Sequence, residues 1–203
     1  MAITLETIKE LRAKTGAGIA NVKEALEVSG GDFEKALLIL REKGLAKAVK
    51  RAGKRAENGY ILSYIHGDGS LGILLELNSE TDFASKSPEF RNLAKEIALQ
   101  IAACSPDYIG IANVPQEIIE REETLAKQDM DPKKPAEIVQ KIIEGRMQKF
   151  YQEFVLLEQK YFKDETKLIK DIINDTIVVL GEKIEVGRFV RFVIGSSATT
   201  SNL

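Results

Sequence analysis

Apolar residues recur at intervals of three and four along the first 45 positions, which predicts three short helices. Thr4 is placed to cap the first, whose stripe is Leu5, Ile8 and Leu11, and Gly16 and Gly18 stop it. The second carries Ile19, Val22, Ala25 and Leu26 and ends at Gly30-Gly31. Asp32 then caps a third helix with Phe33, Ala36, Leu37 and Leu40, closed by Gly44. Three narrow stripes on three short helices can satisfy one another only by packing together, so residues 1–45 are expected to form a small three-helix bundle, too small for an enzyme and suited to binding.

From Tyr60 the period changes from helical to extended. YILSYI, a Gly-Asp-Gly turn and LGILLEL read as a β-hairpin, and the second run is apolar on both faces until Glu76, as a strand inside a sheet would be. After the polar turn Thr81-Asp82-Phe83, Ser87-Pro88 starts a helix on which Phe90, Leu93, Ala94, Ile97, Ala98, Ile101 and Ala102 keep one apolar face until Ser105-Pro106. Pro115 opens a charged helix that DMDPKKP breaks, and helical pattern returns from Ala136 to about Tyr161. A further helix around Leu168 to Leu180 ends at Gly181. The alternation of KIEVGRFVRFVIG then puts Ile184, Val186, Val190, Phe192 and Ile194 on one face of a long strand that should pair back into the hairpin's sheet. The expected class is α+β: residues 1–45 a helical module, 46–58 a basic linker, 59–195 an antiparallel sheet domain covered by helices, and 196–203 a small polar tail without fixed structure.

The linker changes the picture only locally. Lys43 to Arg55 holds six basic residues and no acidic ones among alanines, which reads as a solvated helical connector; the competing reading is a contact with nucleic-acid phosphates. The chain as a whole argues against that partner and against an anionic membrane, because 29 basic residues face 31 acidic ones for a net charge of −2. With 203 residues and 44% hydrophobic content there is enough material to bury a core. A lone cysteine, Cys104, rules out an internal disulfide and suits a reducing compartment. The N-terminal MAITLETIKEL lacks an export signal and no run nears the ~18 apolar residues of a spanning helix, so a cytoplasmic protein, or a stromal one if plastid-encoded, is expected.

Catalytic chemistry finds no foothold. Gly67, Gly69 and Gly72 have the G-x-G-x-x-G spacing, but a strand follows them where dinucleotide binding needs a helix N-terminus. Nucleophilic catalysis by Cys104 and His66 would need the two to meet with an orienting group, whereas Cys104 sits near the end of an apolar helix, and one cysteine with one histidine is too few for a structural zinc site. Glu120, Glu122 and Glu123 are interleaved with basic residues like a solvated helix face. No enzyme activity and no cofactor is expected. One local oddity is left, a bare Phe83 beside Asp82 on a polar turn. Either the ring folds back as core while Asp82 caps the turn, or the ring is an exposed anchor for a partner's pocket.

Several segments in order, IKELRAKTGAGIANVKEAL, GDFEKALLILREKG, YIHGDGSLGILLELNSETDFA, EIVQKIIEGRMQKFYQEFVLLEQ and IEVGRFVRFVIG, resemble elongation factor Ts, the family of bacterial and organellar guanine-nucleotide exchange factors for elongation factor Tu. The spacing resembles its short form. The resemblance implies an N-terminal ubiquitin-associated-type bundle that docks on the nucleotide-binding domain of elongation factor Tu, in its GDP-bound and nucleotide-free forms, through Arg12, Ile19, Ala20 and Lys23. It further implies that Thr81, Asp82 and Phe83 form a wedge entering beside the partner's magnesium and phosphate site, with His66 on a second contact surface. Short members of the family are expected to form homodimers, and the strand from Phe189 to Ile194 is a candidate for that interface.

Overall fold

A computed structural model of the chain describes residues 3–51, 53–128, 135–196 and 199–201. The first helix, α1 (Leu5–Thr15), begins where the Thr4 side chain accepts the Thr7 N–H at 3.2 Å and ends at Gly16, whose φ of 65° lets its N–H close on the Arg12 carbonyl. Helix α2 (Ile19–Val28) follows, and Asp32 caps α3 (Phe33–Arg51) by accepting the Lys35 N–H at 3.0 Å. Ile8, Leu11, Ala17, Val22, Ala25, Leu26, Ala36 and Leu40 form their common core, the three-helix bundle that the stripes predict. Two stripe residues fall outside it: Leu5, at the first position of α1, and Ile19, at that of α2, are both exposed.

Gly44 does not end the third helix as expected. Helix α3 runs on through the basic stretch to Arg51, and Gly44 is buried in mid-helix, where a Cβ would collide with the side chain of Val178. Close packing, not chain reversal, is its purpose. Val178 belongs to α8 (Ile169–Leu180), and Gly16 meets Val179 of the same helix in the same way. Arg41 of α3 adds an ion pair to Asp171 at 3.6 Å.

The sheet has four strands, β1 (Asn58–His66), β2 (Leu71–Ser79), β5 (Ile184–Val193) and β6 (Thr199–Ser201), in the order β1-β2-β5-β6. The last apolar strand therefore lies beside the hairpin, as its pattern requires. On β2, Ile73, Leu75 and Leu77 are buried while Leu74 is half exposed, so this central strand has one open face despite its continuous apolar run. On β5 the expected single face is not found. Ile184 and Val186 are buried, but the next buried large side chain is Phe189, and Phe192 and Ile194 are exposed. The phase slips by one residue at Gly187-Arg188, and a one-residue slip sends every later side chain to the other face.

Between β2 and β5 come α4 (Asp82–Lys86), α5 (Pro88–Cys104), α6 (Gln116–Gln128), α7 (Ala136–Phe154) and a two-stranded ribbon of β3 (Lys160–Tyr161) with β4 (Asp164–Leu168). Helix α5 buries Phe90, Leu93, Ala94, Ile97, Ala98 and Ile101, as its stripe predicts. Helix α7 stops at Phe154, short of the expected Tyr161, because fully buried Val155 turns extended and pairs with Tyr108. The tail is not wholly without structure: Thr199–Ser201 pairs antiparallel with Phe189–Arg191 as β6, satisfying an otherwise open strand edge. Apart from Pro135, the DMDPKKP break lies outside the described residues, as do positions 197, 198, 202 and 203 of the tail. No helix among the described residues is long and apolar enough to cross a membrane.

Contacts divide the chain into two compact units that do not follow chain order. One contains the described residues up to Ile61 with Glu76–Lys95 and Asp171–Glu185; the other contains Leu62–Leu75, Glu96–Lys170 and the described residues from Val186. The bundle, α4 and α8 from Asp171 on thus belong to the first unit.

Candidate functional site: the Asp82–Phe83 helix

The polar turn after β2 is a helix of its own. Thr81 caps α4 in an extended conformation (φ −127°, ψ 160°) and its hydroxyl accepts the Ala84 N–H at 3.3 Å. Asp82 is therefore the first helical residue and not the cap. Its carboxylate reaches Lys86 one turn on, at 2.6 Å, and that bond holds the Asp82 carboxyl below the usual carboxylate range. Such an exposed pair is easily exchanged for a new partner.

Phe83 is 82% exposed, the largest figure among the large apolar side chains of the described residues. The next two residues, Ala84 and Ser85, are buried and fix the opposite side of the helix. Ser85 Oγ donates to the Asp82 carbonyl at 3.0 Å, Ser79 Oγ to the Thr81 carbonyl at 2.8 Å, and Ser87 Oγ to the Ala84 carbonyl at 2.8 Å. Arg91 donates from Nε to the Ser85 carbonyl at 2.8 Å while its guanidinium stacks 3.3 Å above the Tyr60 ring. A helix of five residues has no stability of its own, so this frame is what keeps the ring turned outward.

Two glutamates complete the frame. Glu182 takes the Thr81 N–H at 2.9 Å on one oxygen and the Thr81 hydroxyl at 2.6 Å on the other. Glu80 takes the Lys183 N–H at 2.7 Å and Arg51 Nη1 at 2.6 Å, and the Lys183 bond is the main cause that holds its carboxyl below the usual range. Neither glutamate stands out in the sequence, since Thr81 lies 101 positions from Glu182 and Lys183 103 from Glu80; the short Glu-Thr and Glu-Lys pairs carry no periodic signal.

A family model described as elongation factor TS matches residues 6–197. The elongation factor Ts of Thermodesulfovibrio yellowstonii is 51% identical over 197 residues, covering 97% of this chain and 98% of that protein. That of Coprothermobacter proteolyticus is 52% identical over 196 residues, with 96% and 100% covered, and that of Caldanaerobacter subterraneus subsp. tengcongensis 50% over 194, with 95% and 97%. The chain belongs to the elongation factor Ts family. Membership makes it a translation elongation factor, of a family that acts on elongation factor Tu in nucleotide exchange.

Within that family frame the remaining candidate residues have clear positions. Arg12 projects from α1, and Ile19, Ala20 and Lys23 lie on the first turns of α2; all four are exposed, with Ile19 half uncovered off the bundle's core stripe. They share a compact unit with Thr81, Asp82 and Phe83. His66 belongs to the other unit, at the exposed end of β1, where its Nδ1 lies 2.8 Å from the Tyr64 hydroxyl. Cys104 is largely exposed, yet partial desolvation still pushes its thiol up, away from the thiolate that nucleophilic chemistry needs.

Proposed function

We propose that the chain releases GDP from elongation factor Tu by inserting Asp82 and Phe83 beside the partner's magnesium and phosphate site, while Arg12, Ile19, Ala20 and Lys23 supply affinity. The observation that carries this reading is the exposed Phe83 ring on a helix braced from behind by Ala84 and Ser85. Burying that ring in a partner contributes about 1.5–3 kcal/mol. A carboxylate brought close to a metal-bound phosphate adds charge repulsion, and loss of the metal leaves phosphate charge uncompensated. No bond is made or broken. By linkage, a factor that weakens GDP binding about a thousandfold binds the GDP form about a thousandfold more weakly itself, a coupling of roughly 4 kcal/mol.

The test is release of a fluorescent GDP analogue from elongation factor Tu in excess unlabelled GDP, with catalytic amounts of the chain. Accelerated release is expected; an unchanged rate would sink the reading. An RNA-binding role through Lys43 to Arg55 is less well supported. Of those cations, Lys43 pairs with Glu24 at 2.7 Å, Arg51 with Glu80 at 2.6 Å and Arg55 with Glu57 at 3.3 Å, so phosphates would have to displace carboxylates.

A second reading concerns self-association. Ile65, Leu74, Phe192 and Ile194 are exposed on sheet strands or just past the end of one, and Ile65 covers Gly72 on the same face as Leu74. This apolar face favours the expected homodimer. Light scattering on the full chain tests it: a dimer that Phe192→Glu dissociates is expected, and a monomer at every concentration rejects it.

A further inference from the structure

We infer that Glu80 and Glu182 are positioning residues that aim the Asp82–Phe83 helix, and this rests on the wedge reading of that helix. Two dipeptides exchange bonds reciprocally. Glu182 holds the N–H and hydroxyl of Thr81, while Glu80, the residue before Thr81, holds the N–H of Lys183, the residue after Glu182. Each carboxylate thus fixes the backbone of the segment that carries the other. Charge-assisted bonds of this kind are about twice as strong as neutral ones, and Glu182, with both oxygens engaged, also fixes direction.

The Thr81 hydroxyl is the pivot. It donates to Glu182 and accepts the Ala84 N–H, so Glu182 determines which way its lone pair points and hence the angle at which α4 leaves the strand. The ring of Phe83 lies two residues beyond. Glu80 is anchored in turn: its carbonyl accepts Asn58 Nδ2 at 2.8 Å and its carboxylate accepts Arg51, the last residue of α3. Lys183 Nζ closes the ring of contacts on the Lys54 carbonyl at 3.1 Å and on Glu185 at 2.7 Å. The clasp therefore ties the helix bearing the ring to the end of the bundle's longest helix, so the docking module and the wedge are held by one polar network.

Stopped-flow release of the fluorescent GDP analogue, measured against the concentration of the chain, separates this role from mere stability. Glu182→Ala is expected to lower the maximal exchange rate about tenfold while the half-saturating concentration changes less than about twofold, because the docking residues are untouched. Thr81→Val, which removes the hydroxyl that Glu182 holds, should match Glu182→Ala. If Glu182→Ala fails to fold, Glu182→Gln, which keeps one acceptor, takes its place with a smaller loss. In the double variant with Phe83→Ala, the glutamate change should add little, since it acts through the ring. Full maximal rates in the folded Glu182 variants, or losses that add to that of Phe83→Ala, would overturn the clasp's role. If Phe83→Ala itself leaves exchange intact, the wedge reading fails, and the clasp inference falls with it.

Discussion

Phe83 and Phe90 are seven positions apart on adjacent helices, yet one ring is 82% exposed and the other fully buried. Helix α5 has seventeen residues and an apolar stripe, so burial of Phe90 is one part of a repeated pattern. Helix α4 has five residues, and its inward side is formed by Ala84 and Ser85, which are too small to reward turning the helix over. Small residues behind a large one fix which way the large one faces. The chain spends a phenylalanine on the surface, where it contributes nothing to folding, and frames it with hydroxyls and carboxylates.

This contrast is broken most strongly at Phe90. Phe90→Ala should cost about 3–5 kcal/mol by loss of burial and the cavity left behind, seen as a fall in the urea midpoint at unchanged slope. Exchange measured well below the melting temperature should be largely retained. Phe83→Ala should show the converse: stability within about 0.5 kcal/mol of the parent, and GDP release slowed about ten- to a hundredfold. Equal damage to stability and exchange by Phe83→Ala would mean that the ring is core in solution.

A polar pair in the other unit sharpens the comparison from the side of stability. Gln100 is fully buried; its amide donates to Gln159 Oε1 at 3.1 Å and to the Lys160 carbonyl at 3.0 Å, and its oxygen accepts the Phe162 N–H at 3.0 Å. Gln159 in turn donates to the Glu153 carbonyl at 2.8 Å. Every bond serves the turn from α7 into the β3–β4 ribbon. Gln100→Leu leaves those groups unpaired and should cost about 1–3 kcal/mol, with GDP release unaffected. A change in exchange rate here would show that the two units communicate.

How far these features could be read from the chain depends on the distance over which each is determined. Caps and stops are local, and Thr4, Gly16, Asp32, Pro88 and Gly181 mark helix ends where their chemistry predicts. Gly44 misled because a glycine that permits close approach and one that ends a helix look alike in sequence; only Val178 tells them apart. The face of β5 was legible as far as Val186 and lost at the slip beyond it. Strand β6 and the β3–β4 ribbon are two to five residues long, too short for a period to show. At the candidate site, the pattern offered both fates for Phe83. The glutamates that hold Thr81 and Lys183 were invisible, because 101 and 103 positions separate the partners.

The smallest expected effect concerns acid. The Glu80 carboxyl is held below its usual range, chiefly by the Lys183 N–H and also by Arg51, so the fold favours the charged form. For a group with a lowered pKa in the folded state, the stabilisation is complete above the ordinary carboxylate range near pH 4 and is lost as pH falls through the folded value. Glu80→Gln cannot ionise and lacks this contribution at every pH. At pH 7 the variant should melt lower than the parent by at most about 4 °C, given the modest worth of partly exposed ion pairs. On acidification below about pH 4 the two melting curves should converge, since the parent then carries a protonated Glu80 that is also a poor acceptor for Arg51. A gap that persists unchanged as the pH falls through the carboxylate range would mean that the variant's loss does not come from the carboxylate's charge, and the clasp would then be a neutral hydrogen-bonded turn instead of an ionic one.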